Sequence, residues 1–242
     1  MKMKDSCKRR REVYIGREEF ENSLNCAVEF WGKKSAEDVC GLLGKDVSKM
    51  VGFEQRNLHH CHDLWMHSLY AVEMFPKEVP ILLKTAAFFH DIGKTYTARE
   101  KHGRLTFYGH AKKSAAIAGE LLEKLCYSAE EIEEICFYIA HHDDFISWVL
   151  PEEEYDKHNR YLIEITSANI KKHIARCMKE EAFQKFVPKM EHWINLVWLC
   201  YADVQAQSEK VFMGGKLIMT KTHKLKKLDR IQQYMLELND IA

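Results

Sequence analysis

The sequence predicts an all-α fold arranged as one helical domain, and three observations carry that prediction. Apolar residues recur at the helical period along most of the 242 residues, no period-2 stretch is long enough to build a sheet, and only four prolines and eleven glycines punctuate the chain. With 46% apolar residues the chain can bury a substantial core. The expected organisation is an N-terminal helical extension over residues 1–49, a central bundle over 50–210 and a C-terminal helix over 211–242 packed on the same domain.

Residues 1–16 are charged and read as a solvated tail. Phe20, Leu24, Ala27 and Trp31 then recur at i, i+4, i+7 and i+11, and Gly32 stops the run. Ser35 caps a short helix through Leu43, which Gly44 ends. Further helices are expected at 63–75, 78–91, 110–126, 128–142, 158–178, 189–209 and 223–240, leaving 99–109 and 150–157 as the linker-like stretches. The apolar run Ile81 to Phe89 is about half of the roughly 20 residues that cross a bilayer and contains Lys84. The N-terminus MKMKDSCKRRREVY has no apolar segment behind its basic residues, so it is not read as a secretory signal, and a cytoplasmic location without a membrane partner is expected. The eight cysteines form no CxxC pair and read as reduced, mostly buried thiols. Lys plus Arg and Asp plus Glu are 36 each, so no global field draws the chain to nucleic acid or anionic lipid.

Chemistry enters where ionisable residues fall on apolar stripes. Leu64, His67, Ala71 and Met74 lie at 3, 4, 3 spacing, so His67 faces inward. The run through Phe88 and Phe89 delivers His90 and Asp91, two neighbours that can meet one target only near a helix end, with Gly93 as the candidate terminator. His110 opens the face Ser114, Ile117, Leu121 and Leu125. His142 is in register with Ile132, Ile135 and Ile139, while His141 falls one step round, and either can point inward. Asp203 sits on the stripe of Leu196 and Cys200. Taken singly, each histidine also reads as a core imidazole bonded to a carbonyl. Taken together, five segments aiming imidazoles or carboxylates into one core require partners, because an unpaired polar group there costs several kcal/mol. Metal ions supply them. Mixed imidazole and carboxylate ligation without cysteine suits one or two divalent ions, Mn, Fe, Co, Ni or Zn, with Mg also compatible.

These residues carry a resemblance. His67, then His90 and Asp91 in FFHDIGK, then Asp203 in CYADVQAQ, resemble the H…HD…D signature of the HD superfamily of metal-dependent phosphohydrolases, over roughly residues 50–210. The segments VGFEQRNLHHCHDLWMHSLYAVE and LTFYGHAKKSAAIAGELLEKL are similar to the HD domain attached to bacterial CCA-adding tRNA nucleotidyltransferases, a domain linked to hydrolysis of 2′,3′-cyclic and 2′-phosphates. No nucleotidyltransferase pattern precedes residue 50, so CCA addition is not expected. No GYP loop follows His141 and His142, which argues against the cyclic-di-GMP branch.

The resemblance implies an HD-domain helical bundle in which His67, His90, Asp91 and Asp203 hold a first metal. A second metal would share Asp91 and take His110 and His142, with His141 as an alternative. A metal-activated water is the implied nucleophile. Lys94 is a candidate for phosphate contact or for pairing with a ligand carboxylate, and His60 for substrate contact or a structural hydrogen bond. Lys113 and Arg104 flank His110 as weaker phosphate candidates and read first as a surface face. Asp143 and Asp144 read as capping or solvating the loop after His142. His102, His158, His173, His192 and His223 are assigned to the surface, and the basic segments 171–176 and 221–230 to solvated helix faces. The implied activity is hydrolysis of a small nucleotide or 2′,3′-cyclic phosphate. Dinucleoside polyphosphate hydrolysis and a non-catalytic nucleotide- or RNA-binding role are the alternatives, although no RNA motif is present.

Overall fold

The computed structural model describes residues 15–150, 163–179 and 186–240, and is mostly helical with two small hairpins. The tail expected before residue 15, the linker at 151–157, His158 and the start of the expected 158–178 helix lie outside the described residues. Helix α1 (Arg17–Ser23) and α2 (Ala27–Trp31) replace the single expected first helix. A 3₁₀ turn over Leu24–Cys26 separates them, and Cys26 leaves the helical region at φ −143°. The apolar stripe survives the break: Phe20, Leu24, Ala27 and Trp31 are all buried.

Ser35 caps α3 (Ala36–Leu43), accepting from the Asp38 amide at 3.2 Å while Asp38 accepts from the Ser35 amide at 3.0 Å. Removing this reciprocal cap with Ser35→Ala should cost about 1 kcal/mol, read as a lower urea midpoint with an unchanged m-value. Helix α4 (Lys45–Ser48) follows. Asp63 then caps α5 (Leu64–Glu73), its Oδ1 accepting from the Met66 amide at 2.7 Å and its Oδ2 from the Gly52 amide at 3.1 Å. Helix α6 (Ile81–Phe89) packs against α5, and Phe88 meets Phe20, Trp31, Trp65 and Phe89 at centroid distances of 5.2, 5.7, 5.4 and 4.9 Å. That aromatic cluster anchors the end of α6 and so fixes where His90 and Asp91 emerge.

The helix ends at Phe89, before Gly93, so Gly93 is not its terminator. It opens α7 (Lys94–Thr97) with ordinary helical dihedrals, φ −65° and ψ −19°. Its role is closeness: a Cβ there would lie 2.4 Å from the His110 carbonyl oxygen and 2.6 Å from the Ser114 nitrogen. The stretch expected as a linker at 99–109 contains strands β1 (Arg99–Lys101) and β2 (Arg104–Thr106), paired antiparallel with Glu100 opposite Leu105. His102 and Gly103, both at positive φ, make the tight turn that a two-residue hairpin requires. Helices α8 (His110–Lys124), α9 (Ala129–His141) and α10 (Asp143–Ile146) come next, with Ser128 and Glu131 forming a second capping box on α9.

Thr166 caps α11 (Ser167–Cys177), its Oγ1 accepting from the Asn169 amide at 3.2 Å. Helix α12 (Met190–Gln205) leads to a hairpin of β3 (Lys210–Met213) and β4 (Lys216–Thr220), and α13 (Lys221–Asp240) ends the described chain. Helix α6 packs against both α5 and α9, α8 lies on α9, and α12 contacts α5, α6, α9 and α13. The strands are three to five residues long, too short to leave a period-2 signature.

Two expectations about polar residues are corrected here. Lys224, in the segment read as a solvated basic face, is buried, with its Nζ 2.8 Å from His59 Nδ1 and 2.8 Å from Gln207 Oε1. Cys126 is disulfide-bonded rather than reduced, and among the free thiols Cys177 and Cys200 are buried, but Cys26, Cys40 and Cys61 are exposed. No helix among the described residues is long and apolar enough to cross a membrane.

Candidate metal centre

Four helix ends and one mid-helix position bring the site together. His67 lies one turn inside α5, His90 and Asp91 follow α6, His110 opens α8, His142 follows α9, and Asp203 comes from the last turn of α12. Each of the four imidazoles places Nδ1 against a backbone carbonyl: His90 on Ala87 at 2.7 Å, His110 on Phe107 at 2.8 Å, His142 on Ile139 at 2.7 Å and His67 on Ala206 at 3.3 Å. Three of those carbonyls are three residues upstream, so the local turn itself sets the ring. With Nδ1–H donating, a neutral ring presents its Nε2 lone pair, and all four Nε2 atoms face carboxylate oxygens.

The distances define two adjoining groupings that share Asp91. His67 Nε2 is 3.0 Å from Asp203 Oδ1 and 3.5 Å from Asp91 Oδ2, and His90 Nε2 is 3.2 Å from Asp91 Oδ2. On the other side of the carboxylate, Asp91 Oδ1 is 3.1 Å from His110 Nε2 and 3.4 Å from His142 Nε2, and the two Nε2 atoms are 3.2 Å apart. His67 Nε2, His90 Nε2 and Asp91 Oδ1 are buried without a hydrogen-bond partner. Acceptors turned toward acceptors in a buried space are unfavourable unless a cation lies among them. The donor set fits a divalent ion, and three groups, His67 with His90 and Asp203, His90 with Asp91 and His142, and His110 with His142 and Asp143, each have the spacing to hold one.

The field at this point is strongly polarised. Burial works against the Asp91 carboxylate, but His90 and the Lys94 ammonium outweigh it and hold its pKa well below the usual carboxylate range. Asp203 behaves likewise, with His67 and His90 overcoming burial. Burial disfavours a charged His142, yet Asp143, Asp91 and Asp203 push its pKa up to about 9, so positive charge is drawn to this point.

Lys94 is buried, its Nζ 2.6 Å from Asp91 Oδ2, 3.0 Å from Gln55 Oε1 and 3.3 Å from His60 Nε2. Of the roles open to it in the sequence, pairing with the carboxylate is the one it occupies here. It also lines a cavity of about 520 Å³ together with Asp91, His110, His142, Asp203 and His60. Burial and the neighbouring Lys94 hold the His60 pKa well below its ordinary value, and its Nδ1 has no hydrogen-bond partner. His62 packs against the Tyr70 ring, with centroids 4.7 Å apart.

Several sequence assignments are revised or refined. Lys113 is exposed over the Tyr96 ring, 5.3 Å from its centroid, and does not line the cavity. Arg104 is likewise an exposed strand residue. His141 does not join the Asp91 groupings, because its Nδ1 faces Asp144 Oδ2 at 2.8 Å. The same oxygen accepts from His173 Nε2 at 2.9 Å, and the Cys177 thiol lies 3.7 Å away. Asp144 is therefore an internal hub rather than a loop cap, and His173 is buried rather than superficial. These hydrogen bonds hold the Asp144 pKa below the usual range against the opposing effect of burial.

Other neighbours of the site stayed hidden in the sequence. Asp143 Oδ2 lies 3.3 Å from His110 Nε2, and its Oδ1 lies 3.6 Å from His142 Nε2. Gln207 Nε2 donates to Asp203 Oδ1 at 3.1 Å and its Oε1 accepts from Lys224, so α13 reaches the site through one amide. The i, i+4 spacing of Asp203 and Gln207 was the available signal.

Compared with known proteins, residues 57–178 match the family described as HD domain. The chain is also 37% identical over 122 residues to the CC-adding tRNA nucleotidyltransferase of Thermus thermophilus. That alignment covers 47% of this chain and only 27% of the relative's length.

Proposed function

The chain belongs to the HD domain family, and from that premise we propose that it is a metal-dependent phosphohydrolase acting on a nucleotide or 2′,3′-cyclic phosphate. The observation that carries this reading is the set of four imidazole Nε2 atoms turned, by Nδ1 contacts to backbone carbonyls, toward three carboxylates, with His67 Nε2, His90 Nε2 and Asp91 Oδ1 buried and without a hydrogen-bond partner. His67, His90, Asp91 and Asp203 would hold one ion, and Asp91, His110 and His142, with Asp143 beside them, a second. Such ions lower the pKa of a bound water and neutralise phosphoryl oxygens.

The chain's own groups supply orientation and charge. Lys94 keeps Asp91 ionised and presents an ammonium to the cavity, where it can meet a phosphoryl oxygen. His60, with Nε2 accepting from Lys94, has Nδ1–H as its remaining donor. A catalytic role is favoured over pure binding because the cavity opens directly onto Asp91, giving a phosphoester access to the charge-neutralising groups.

Hydrolysis of cyclic nucleotides, phosphomonoesters and dinucleotides with added Mn, Co, Ni or Mg tests the reading. Metal-dependent turnover that chelator abolishes is expected, and binding without turnover under every metal would leave a sensor module instead. His110→Ala should leave one ion per chain and lower kcat by tenfold or more with KM little changed, on the order of the loss from removing one transition-state contact. Full activity with an unchanged ion count would reassign His110 to substrate contact or core bonding.

A further inference from the structure

Beyond the metal centre, the described residues carry a second cavity, about 470 Å³, lined by Lys172, Arg176 and Lys179. Lys172 and Arg176 stand at i and i+4 on α11, and Lys179 follows in the turn after its last residue. The cavity shares Trp148, Ile163, His173 and Arg176 with the one above the metal centre, so the two adjoin. Among the described residues, its lining includes no carboxylate. Lys172, Arg176 and Lys179 are exposed to solvent, and Arg176 also lines the cavity that holds Asp91.

The Asp144 hub explains how Arg176 is held. Asp144 fixes Nε2–H of His173 as a donor, which leaves His173 Nδ1 as an acceptor, and Arg176 Nη2 donates to it at 3.1 Å. His141 and Cys177 close around the same carboxylate oxygen. A half-buried carboxylate thereby sets the tautomer of a buried imidazole, which contacts a guanidinium that lines both cavities. A guanidinium fork matches the oxygens of a phosphate, and Trp148 supplies an apolar wall beside it.

We propose that Arg176, with Lys172 and Lys179, binds a second phosphoryl group of the substrate, distal to the phosphoester being cleaved, and that Asp144 and His173 are positioning residues for it. The substrate class is then a small nucleotide with two separated phosphates, an inference that rests on the phosphohydrolase reading for the identity of the first.

The test uses two probes that differ only in the distal group: a nucleoside 2′,3′-cyclic phosphate with a free 5′-hydroxyl, and the same compound with a 5′-phosphate. With Mn-loaded protein, the 5′-phosphorylated probe should have a KM about tenfold lower, as expected for one charge-assisted contact. Arg176→Met should erase that advantage, leaving KM for the unphosphorylated probe, kcat and metal content unchanged. Calorimetric binding of both probes to wild type and Arg176→Met separates this inference from the one beneath it. If neither probe is cleaved but the 5′-phosphate still improves binding only when Arg176 is present, the anion site stands and the assigned reaction falls. If Arg176→Met alters both probes equally, or neither, the anion site is overturned whatever the activity.

Discussion

Asp91→Asn should lower phosphoester hydrolysis by on the order of 10³-fold or more and strip most of the bound metal from the purified protein. Asp91 serves both groupings: one carboxylate oxygen faces His67 and His90, the other His110 and His142. The asparagine keeps the volume and an oxygen that accepts from Lys94, whereas alanine would leave that buried ammonium facing a void, at a cost of several kcal/mol. Loss of activity can then be read as loss of the metal bridge rather than of the fold. Elemental analysis and steady-state rates measure the effect. Melting with and without Mn provides the control, since an ion that binds only the folded state raises the Tm of wild type and should hardly move that of the variant. A variant that retains near-native turnover would place the activity elsewhere in the protein.

Gly93→Ala should destabilise the fold by about 3 kcal/mol and dislodge the second metal grouping with it. The added methyl meets the His110 carbonyl oxygen and the Ser114 nitrogen, which are backbone atoms and cannot rotate away. Ser114 Oγ, which accepts from the Gly93 amide at 2.8 Å, is also displaced. The start of α8 must retreat, taking His110 away from Asp91. Urea unfolding gives the stability, and metal stoichiometry gives the loss at the site. Gly41→Ala, a helical position with nothing within 4 Å of the added carbon, is the matched control and should stabilise by roughly 0.5–1 kcal/mol. Equal behaviour of the two variants would refute the close-approach account of Gly93.

Most of the helices and the residues that converge on Asp91 were legible because both depend on the same local pattern. A polar residue on an apolar stripe announces itself, and His67, His90, Asp91, His110, His142 and Asp203 all do so. Two readings of each histidine, a core ring bonded to a carbonyl and an inward-facing ligand, looked exclusive in sequence. In the structure they coexist, because the carbonyl takes Nδ1 and thereby aims Nε2. What stayed hidden was pairing between distant segments. His141 and His142 differ by one step on α9, and only the position of Asp144 and α11 decides which ring turns to Asp91.

Lys224 was masked by the lysines around it, although its register with Leu228, Ile231, Met235 and Leu238 already placed it on the buried face of α13. His173, between Ile170 and Cys177, follows the same rule. Charge counting averaged over residues that the helical period separates. The hairpins escaped for a simpler reason, since their short strands are held by turns with positive φ, which leave a trace only in the glycines.

The bond from Gln207 to Asp203, and the tie from Gln207 to Lys224, also bear on where this module can be cut. Family likeness stops at residue 178, while Asp203, Gln207 and Lys224 all lie beyond it. A fragment trimmed to the matched stretch would carry His67, His90, Asp91, His110 and His142 with one wall missing. It would also bare the surfaces of α5, α6 and α9 that α12 covers with Leu196, Val197 and Cys200. Transplanting the module into another polypeptide therefore requires the chain at least through α13, and a boundary drawn from likeness alone would yield a sticky, ion-poor remnant.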